Sequence, residues 1–277
     1  MAHTEEGNYE TLLLERDRDW LTVWFNRPEQ RNALSNEMFA ELNAVIEAIA
    51  RDDRIRGITL RGKGGVFCAG GDLKGFRKIF QGDAGNEEEA ARFNREAGVL
   101  FDKINSLPQV VVMLVEGAAM AGGLGMVCAG DVVLVAKDAK FAVTETTLGL
   151  PPAQIAPFLV ERLGLRTARR LMLTASRFTG ADATGLGLAD FVADDAAGLE
   201  ELEAQVRRQV RRCAPRANAA TKDILLATRH LDREAMIDHA AKGFAECMVG
   251  DEAREGISAF LEKRKPRWAE AAPESDA

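Results

Sequence analysis

The sequence predicts an α/β fold, with a sheet-centred core over residues 1–197 and a helical end over 198–268. Two patterns carry that reading. Short runs rich in β-formers alternate with helix-period segments through the first two thirds, and only helix-period segments follow Gly198. A third sign is Val110–Val115, read VVVMLV, a continuous apolar run of the kind found in the middle of a parallel sheet. Residues 11–15 and 21–25 are β-rich and separated by the charged turn RDRD, so they read as a hairpin. Ser35 then caps a helix whose Phe39, Leu42, Ile46 and Ile49 share one face. Residues 57–61 form a short strand, and the polar stretch 82–89 reads as a mobile loop. Phe93, Ala97, Leu100, Phe101 and Ile104 make the apolar stripe of a helix that Pro108 ends. After Val110–Val115 the glycine- and alanine-rich stretch EGAAMAGGLGMVCAGD turns a strand into a helix, and Val132–Ala136 and 141–143 are strands. Helices are expected at 153–163 and 167–174, with Thr179 capping a shorter one. The final set is 199–213, 217–228, Arg233–Met248 and 252–264, before a tail at 269–277 expected to be disordered.

Composition narrows the function. The chain has 277 residues, 47% of them apolar and 29% charged, as in an ordinary globular protein. With 36 Lys and Arg against 43 Asp and Glu the net charge is −7, which disfavours wrapping nucleic acid. No apolar run approaches the ~20 residues of a membrane span, and the acidic start MAHTEEGNYE has no signal-peptide shape. The four cysteines, Cys68, Cys128, Cys213 and Cys247, lack paired spacing, which fits a reducing cytoplasm and argues against a disulfide or zinc framework. His3, His230 and His239 are too scattered for a metal triad or a Ser-His-Asp site. No metal and no separate cofactor is therefore expected, and chemistry falls to carboxylates, lysines and backbone groups.

Three segments are rich enough to carry such chemistry. NRPEQRNAL follows a strand. FCAGGDLK has small residues that let main-chain amides approach a ligand. The stretch 117–131 is a second glycine-rich turn opening a helix. Two such turns side by side would present two N–H donors to one oxygen, as an oxyanion hole does. Neither has the GxxxxGK[ST] pattern of a phosphate loop, and Gly122-Gly123-Leu124-Gly125 is a poor dinucleotide fingerprint.

Together, NRPEQRNALS, FCAGGDLKGF, VEGAAMAGGLGMVCAGDVVLVAKDAKF, TETTLGL and EGISAFLEKRKPRW resemble the crotonase superfamily, the enoyl-CoA hydratase/isomerase family, in order and spacing. The resemblance implies a spiral of ββα turns followed by a helical region that builds homotrimers or hexamers. It implies an acyl-CoA thioester as substrate, with CoA part of that substrate, and the main-chain amides of Gly71 and Gly122 as the oxyanion hole. By the same resemblance Arg31 lies near the CoA phosphates, and Ala33, Leu34 and Ala69 lie beside its pantetheine and adenine. Lys74, Phe260 and Lys263 are further CoA contacts, the last two often reaching a neighbouring subunit's site.

The expected acid–base residues depart from the pattern. Hydratases of the family carry two glutamates, one three residues after the oxyanion glycine and the other 20 further on. Here the first position is Gly125 and the second is Glu145. Glu145 is the expected catalytic group, with its pKa raised by apolar neighbours. Gly125 is expected to leave room in the acyl pocket for a bulky chain or a carboxylate supplied by the substrate, and Gln154 to hold water or substrate. Asp72 is expected to cap a helix, and Glu116 to be structural. The resemblance implies hydration of a 2-enoyl-CoA, with isomerisation of a 3-enoyl-CoA by one glutamate or plain acyl-CoA binding as alternatives. The stretch PPAQIAPFLVERLGL also resembles hydratases of branched, glutaconyl-type CoA esters such as isohexenylglutaconyl-CoA.

Overall fold

A computed structural model describes residues 3–4, 9–72 and 87–269. Ten strands are described: β1 (His3–Thr4), β2 (Leu12–Asp17), β3 (Trp20–Phe25), β4 (Gly57–Gly62), β5 (Val110–Val115), β6 (Ala118–Met120), β7 (Val132–Ala136), β8 (Lys140–Ala142), β9 (Phe178–Thr179) and β10 (Phe191–Ala193). The helices are α1 (Asn36–Ala50), α2 (Glu87–Asn105), α3 (Gly122–Cys128), α4 (Ala156–Thr174), α5 (Gly180–Ala183), α6 (Ala196–Arg211), α7 (Pro215–Ala227), α8 (Arg233–Met248) and α9 (Asp251–Leu261).

Seven strands form the main sheet in the order β1-β2-β3-β4-β5-β7-β10. The hairpin β2–β3 pairs Leu12 with Phe25 and Asp17 with Trp20, so its turn is the two residues Arg18 and Asp19. From β3 onward the pairing is parallel. Every residue of β4 is buried, as are all but the first of β5, which explains why VVVMLV shows no alternation. A three-stranded sheet β6-β8-β9 sits beyond the ends of β5 and β7. Of the strands of two or three residues, β8 is the one expected at 141–143, while β1, β6, β9 and β10 escape sequence reading because so few residues carry no periodicity.

Helix ends follow the side chains foreseen. Ser35 accepts a hydrogen bond from the Met38 amide at 3.3 Å and starts α1. Thr179 and Asp182 form a reciprocal capping box on α5. The two helices expected across 153–174 are present as α4 with a break at Gly164, whose φ of 74° is open to glycine. Residues 87–89 begin α2 rather than belonging to a loop, while the rest of the polar stretch, 82–86, lies outside the described residues, as does the tail 270–277.

Of the terminal helices, α6 lies on the sheet. Its Leu199 and Val206 are buried, and Glu203 accepts a hydrogen bond from Thr59 of β4. Trp20 Nε1 donates to the same Thr59 hydroxyl at 2.9 Å, and Arg207 Nη2 reaches Glu203 at 2.6 Å. The first helix of the C-terminal set, α6, is therefore packed on the sheet. Lys222 anchors α7 by donating to Asp131 Oδ2 at 2.5 Å and to the Gln109 carbonyl at 2.6 Å. α8 buries no residue, and Val249, Phe244 and Phe260 stand 70% or more exposed. Among the described residues no helix is long and apolar enough to cross a membrane.

Thr59 joins the Trp20 indole N–H to Glu203, so Thr59→Val strands the buried indole N–H, while Glu203 keeps its Arg207 partner. The variant is expected to lose about 1–3 kcal/mol of unfolding free energy in urea denaturation. An unchanged midpoint would remove that role.

Candidate active site

The site is built where three chain segments are stitched together by main-chain hydrogen bonds. The stretch 67–72 runs between the loop after β3 and the start of β6. On one side Phe67 N donates to the Glu116 carbonyl at 3.0 Å, Cys68 N to Ala118 at 3.0 Å, and Met120 N to Cys68 at 2.9 Å. On the other, Ala69 N donates to the Arg31 carbonyl at 3.0 Å, Leu34 N to Gly70 at 2.8 Å, and Asp72 N to Leu34 at 3.0 Å. Asn32 locks the first loop from within. Fully buried in left-handed conformation, it accepts from Arg27 N at 2.8 Å and donates to the Lys63 and Val66 carbonyls at 2.9 and 2.6 Å. The sequence marked the NRPEQRNAL segment but not this residue's role, because a buried asparagine is recognised only by the carbonyls it meets.

That stitching aims two amides. The Gly70 carbonyl and the Asp72 amide both face Leu34, so the Gly71 N–H between them points away from that bridge. Gly122 is the first residue of α3, where an amide has no acceptor one turn back. Ala121 precedes it at φ 50°, a strained angle for a residue with a side chain, fixed by its amide donating to the Ala142 carbonyl at 2.8 Å. A Cβ built on Gly70 would lie 3.0 Å from the Ala121 Cβ, which shows how closely the two turns abut. Neither the Gly71 nor the Gly122 amide donates to any described residue.

Both glycines line one cavity of about 430 Å3. Its walls are chiefly apolar, with Phe39 of α1, Phe93, Ala97 and Phe101 of α2, and the 148–155 loop. Glu145 opens a 3-10 turn after β8 and enters the same cavity, the only acidic side chain among its described lining residues, which include no basic one. Its Oε2 is buried without a hydrogen-bond partner among the described residues. Burial pushes the carboxyl above the usual range, and hydrogen bonds from the Glu145 and Thr144 backbone amides offset this only in part.

The other expected site residues divide clearly. Leu34, Ala69 and Gln154 line the cavity with Glu145 and the two glycines. Arg31 is exposed at the loop's left-handed corner, and the Ala33 carbonyl accepts from Arg27 Nη1 at 2.6 Å. Phe260 and Lys263 do not line the cavity of their own chain; Phe260 is 83% exposed. Lys74 lies outside the described residues. Glu116 pairs with Arg61 at 3.0 Å, and Asp72 with Arg27 at 3.3 Å. The expectation for Gly125 needs correction: it lies buried in α3, and a Cβ there would sit 2.1 Å from Ile155 Cγ2. Ile155 fills the space that was expected to admit substrate and itself forms cavity wall. Sequence reading also missed Asn94, a half-buried α2 side chain bonded to Gln154, since one polar residue beside an apolar stripe carries no signal.

A family profile described as Enoyl-CoA hydratase/isomerase matches residues 16–271. Pseudomonas aeruginosa AtuE shares the fold at TM-score 0.91 and 48% identity, over 94% of this chain and all of its own. An enoyl-CoA hydratase/isomerase from Marinobacter aquaeolei follows at TM-score 0.90 and 42% identity, with the same coverage. The peroxisomal Delta(3,5)-Delta(2,4)-dienoyl-CoA isomerase of Arabidopsis thaliana is 30% identical across 95% of this chain and 98% of its own length. Hydratase names are the commoner among curated relatives.

Two outcomes test the site's packing and electrostatics. Gly125→Ala should cost about 1–3 kcal/mol through overpacking against Ile155, and its loss should be smaller in an Ile155→Ala background; additive losses would mean the two do not touch. The folded state favours the neutral Glu145 carboxyl, so ionising it costs stability as pH rises from the ordinary carboxylate range through the raised value. The stability of Glu145→Gln relative to the parent should therefore increase across that window in thermal melts. A difference independent of pH would place the carboxyl in water.

Proposed function

The chain belongs to the enoyl-CoA hydratase/isomerase family, and we propose that within it the protein hydrates a 2-enoyl-CoA with Glu145 as its one acid–base group. The observation that carries this is the buried, unpartnered Glu145 oxygen in the same cavity as two amides that have no acceptor. Water adding to C3 gives up a proton to the Glu145 carboxylate while the C2=C3 electron pair moves onto the thioester oxygen. The Gly71 and Gly122 N–H groups hold that enolate, an interaction for which each donor contributes about 10²–10³ in rate. Protonated Glu145 then delivers the proton to C2, yielding a 3-hydroxyacyl-CoA and regenerating the carboxylate. A raised pKa makes Glu145 a stronger base for the first transfer and leaves it able to return the proton.

The apolar walls fit an acyl chain, and the stretch PPAQIAPFLVERLGL resembles hydratases of branched, glutaconyl-type esters. Arg31, Ala33, Leu34, Ala69 and Lys74 are assigned to CoA, with Phe260 and Lys263 serving a neighbouring subunit. The exposed apolar side chains of α7–α9 support a homotrimer or hexamer. A second reading, isomerisation of a 3-enoyl-CoA, is favoured by the single carboxyl, since one acid can carry a proton from C2 to C4 without water.

The purified protein incubated with crotonyl-CoA, branched and glutaconyl-type enoyl-CoA esters should deplete the enoyl absorbance. Glu145→Gln should lower kcat by about 10²–10⁴ with thioester binding retained. Turnover of 3-enoyl-CoA with no loss of enoyl absorbance would establish the isomerase instead. No turnover of any ester, with binding intact in both proteins, would leave an acyl-CoA binder. Light scattering is expected to give three or six times 30.1 kDa, and a monomer would contradict the assembly.

A further inference from the structure

The wall of the same cavity carries a feature that the proposed hydration does not use. Within mainly apolar lining, Asn94 of α2 and Gln154 of the 148–155 loop place two side-chain amides together. Gln154 Nε2 donates to Asn94 Oδ1 at 2.9 Å. Gln154 Oε1 lies against α2 at Gly98, where a built Cβ would come within 2.1 Å of it. The glycine therefore forms a cradle that any side chain would fill, and it lets the loop amide lie flat on the helix.

The bonding leaves a surplus of one sign. The Asn94 carbonyl is taken up by Gln154, and the Gln154 carbonyl is turned to the helix. Two N–H groups of Asn94 and the second N–H of Gln154 remain. A pair that served only to fasten the loop would need one hydrogen bond and no position in the cavity wall. Three donors in an apolar wall, with no described basic side chain beside them, suit an oxygen that accepts hydrogen bonds.

The geometry points to Asn94 and Gln154 as a specificity subsite for an acceptor oxygen, carbonyl or carboxylate, carried on the acyl chain of the substrate. This rests on the reading of the cavity as an acyl-CoA site and refines its substrate class. Unpaired donors in an apolar wall are satisfied by such a chain and left stranded by a plain hydrocarbon one, so the subsite discriminates against the plain chain.

The test uses saturated acyl-CoA esters, which cannot be hydrated, so its outcome is independent of whether the protein is a hydratase. Isothermal titration compares plain, keto and carboxy-terminated chains matched in length, from valeryl to octanoyl. At the best length an oxygenated ester should bind about tenfold tighter than the plain one, a difference of about 1.4 kcal/mol. Preference for the keto chain would identify a neutral carbonyl, and preference for the carboxy chain a carboxylate. Asn94→Asp keeps the acceptor for Gln154 and removes both Asn94 donors, so it should abolish the preference for the oxygenated chains. Gln154→Leu should weaken the same preference. Plain chains binding as tightly as oxygenated ones at every length would overturn the proposal. So would variants that weaken all three classes alike, the result expected of a loop latch.

Discussion

The parallel bridges that hold residues 67–72 between two other segments are the constraint on which the site depends. A backbone amide can serve chemistry only if its neighbours are committed elsewhere. Here the Gly70 carbonyl and Asp72 amide are spent on Leu34, and Cys68 is spent on β6. What is left over, the Gly71 N–H, is thereby aimed without any side chain to aim it. Gly122 reaches the same condition by a different route, as the first residue of a helix whose entry is fixed by Ala121 and the Ala142 carbonyl. Preorganised donors of this kind need no reorientation as charge develops, which is why their rigidity matters more than their number.

The carboxyl faces the opposite demand. In the proposed reaction Glu145 changes protonation state, which a tight network would hinder, and one of its oxygens is buried with no hydrogen-bond partner among the described residues. Its cost is carried by the packed surroundings, in which Phe101 and Ile155 are buried. Ile155 resting on Gly125 closes the place where another carboxyl would have to stand, so the lone acid is a property of the packing as well as of the sequence.

Much of this was legible from the residues. Ser35, Thr179 and the apolar runs placed their elements because capping and periodicity act locally. The resemblance to the crotonase superfamily pointed to Gly71, Gly122 and Glu145, all of which line one cavity. The rest depended on contacts distant in sequence. Asn32 is defined by carbonyls of Lys63 and Val66, Ile155 by Gly125, and Asn94 by Gln154, pairs that no local pattern announces. α6 reads as a helix that needs a surface to pack on, but its amphipathic stripe does not say which, and Thr59 and Glu203 place it on the sheet.

The central claim is that the amides of Gly71 and Gly122 grip one thioester oxygen beside Glu145. The infrared carbonyl stretch of an acyl-CoA thioester, isotope-labelled at that carbon and bound to the protein, reports this directly. Hydrogen bonding from two fixed donors polarises the carbonyl, so the band is expected at lower frequency than for the ester free in water. A band at or above the free position would mean that the oxygen meets no such pair, and the account would be contradicted.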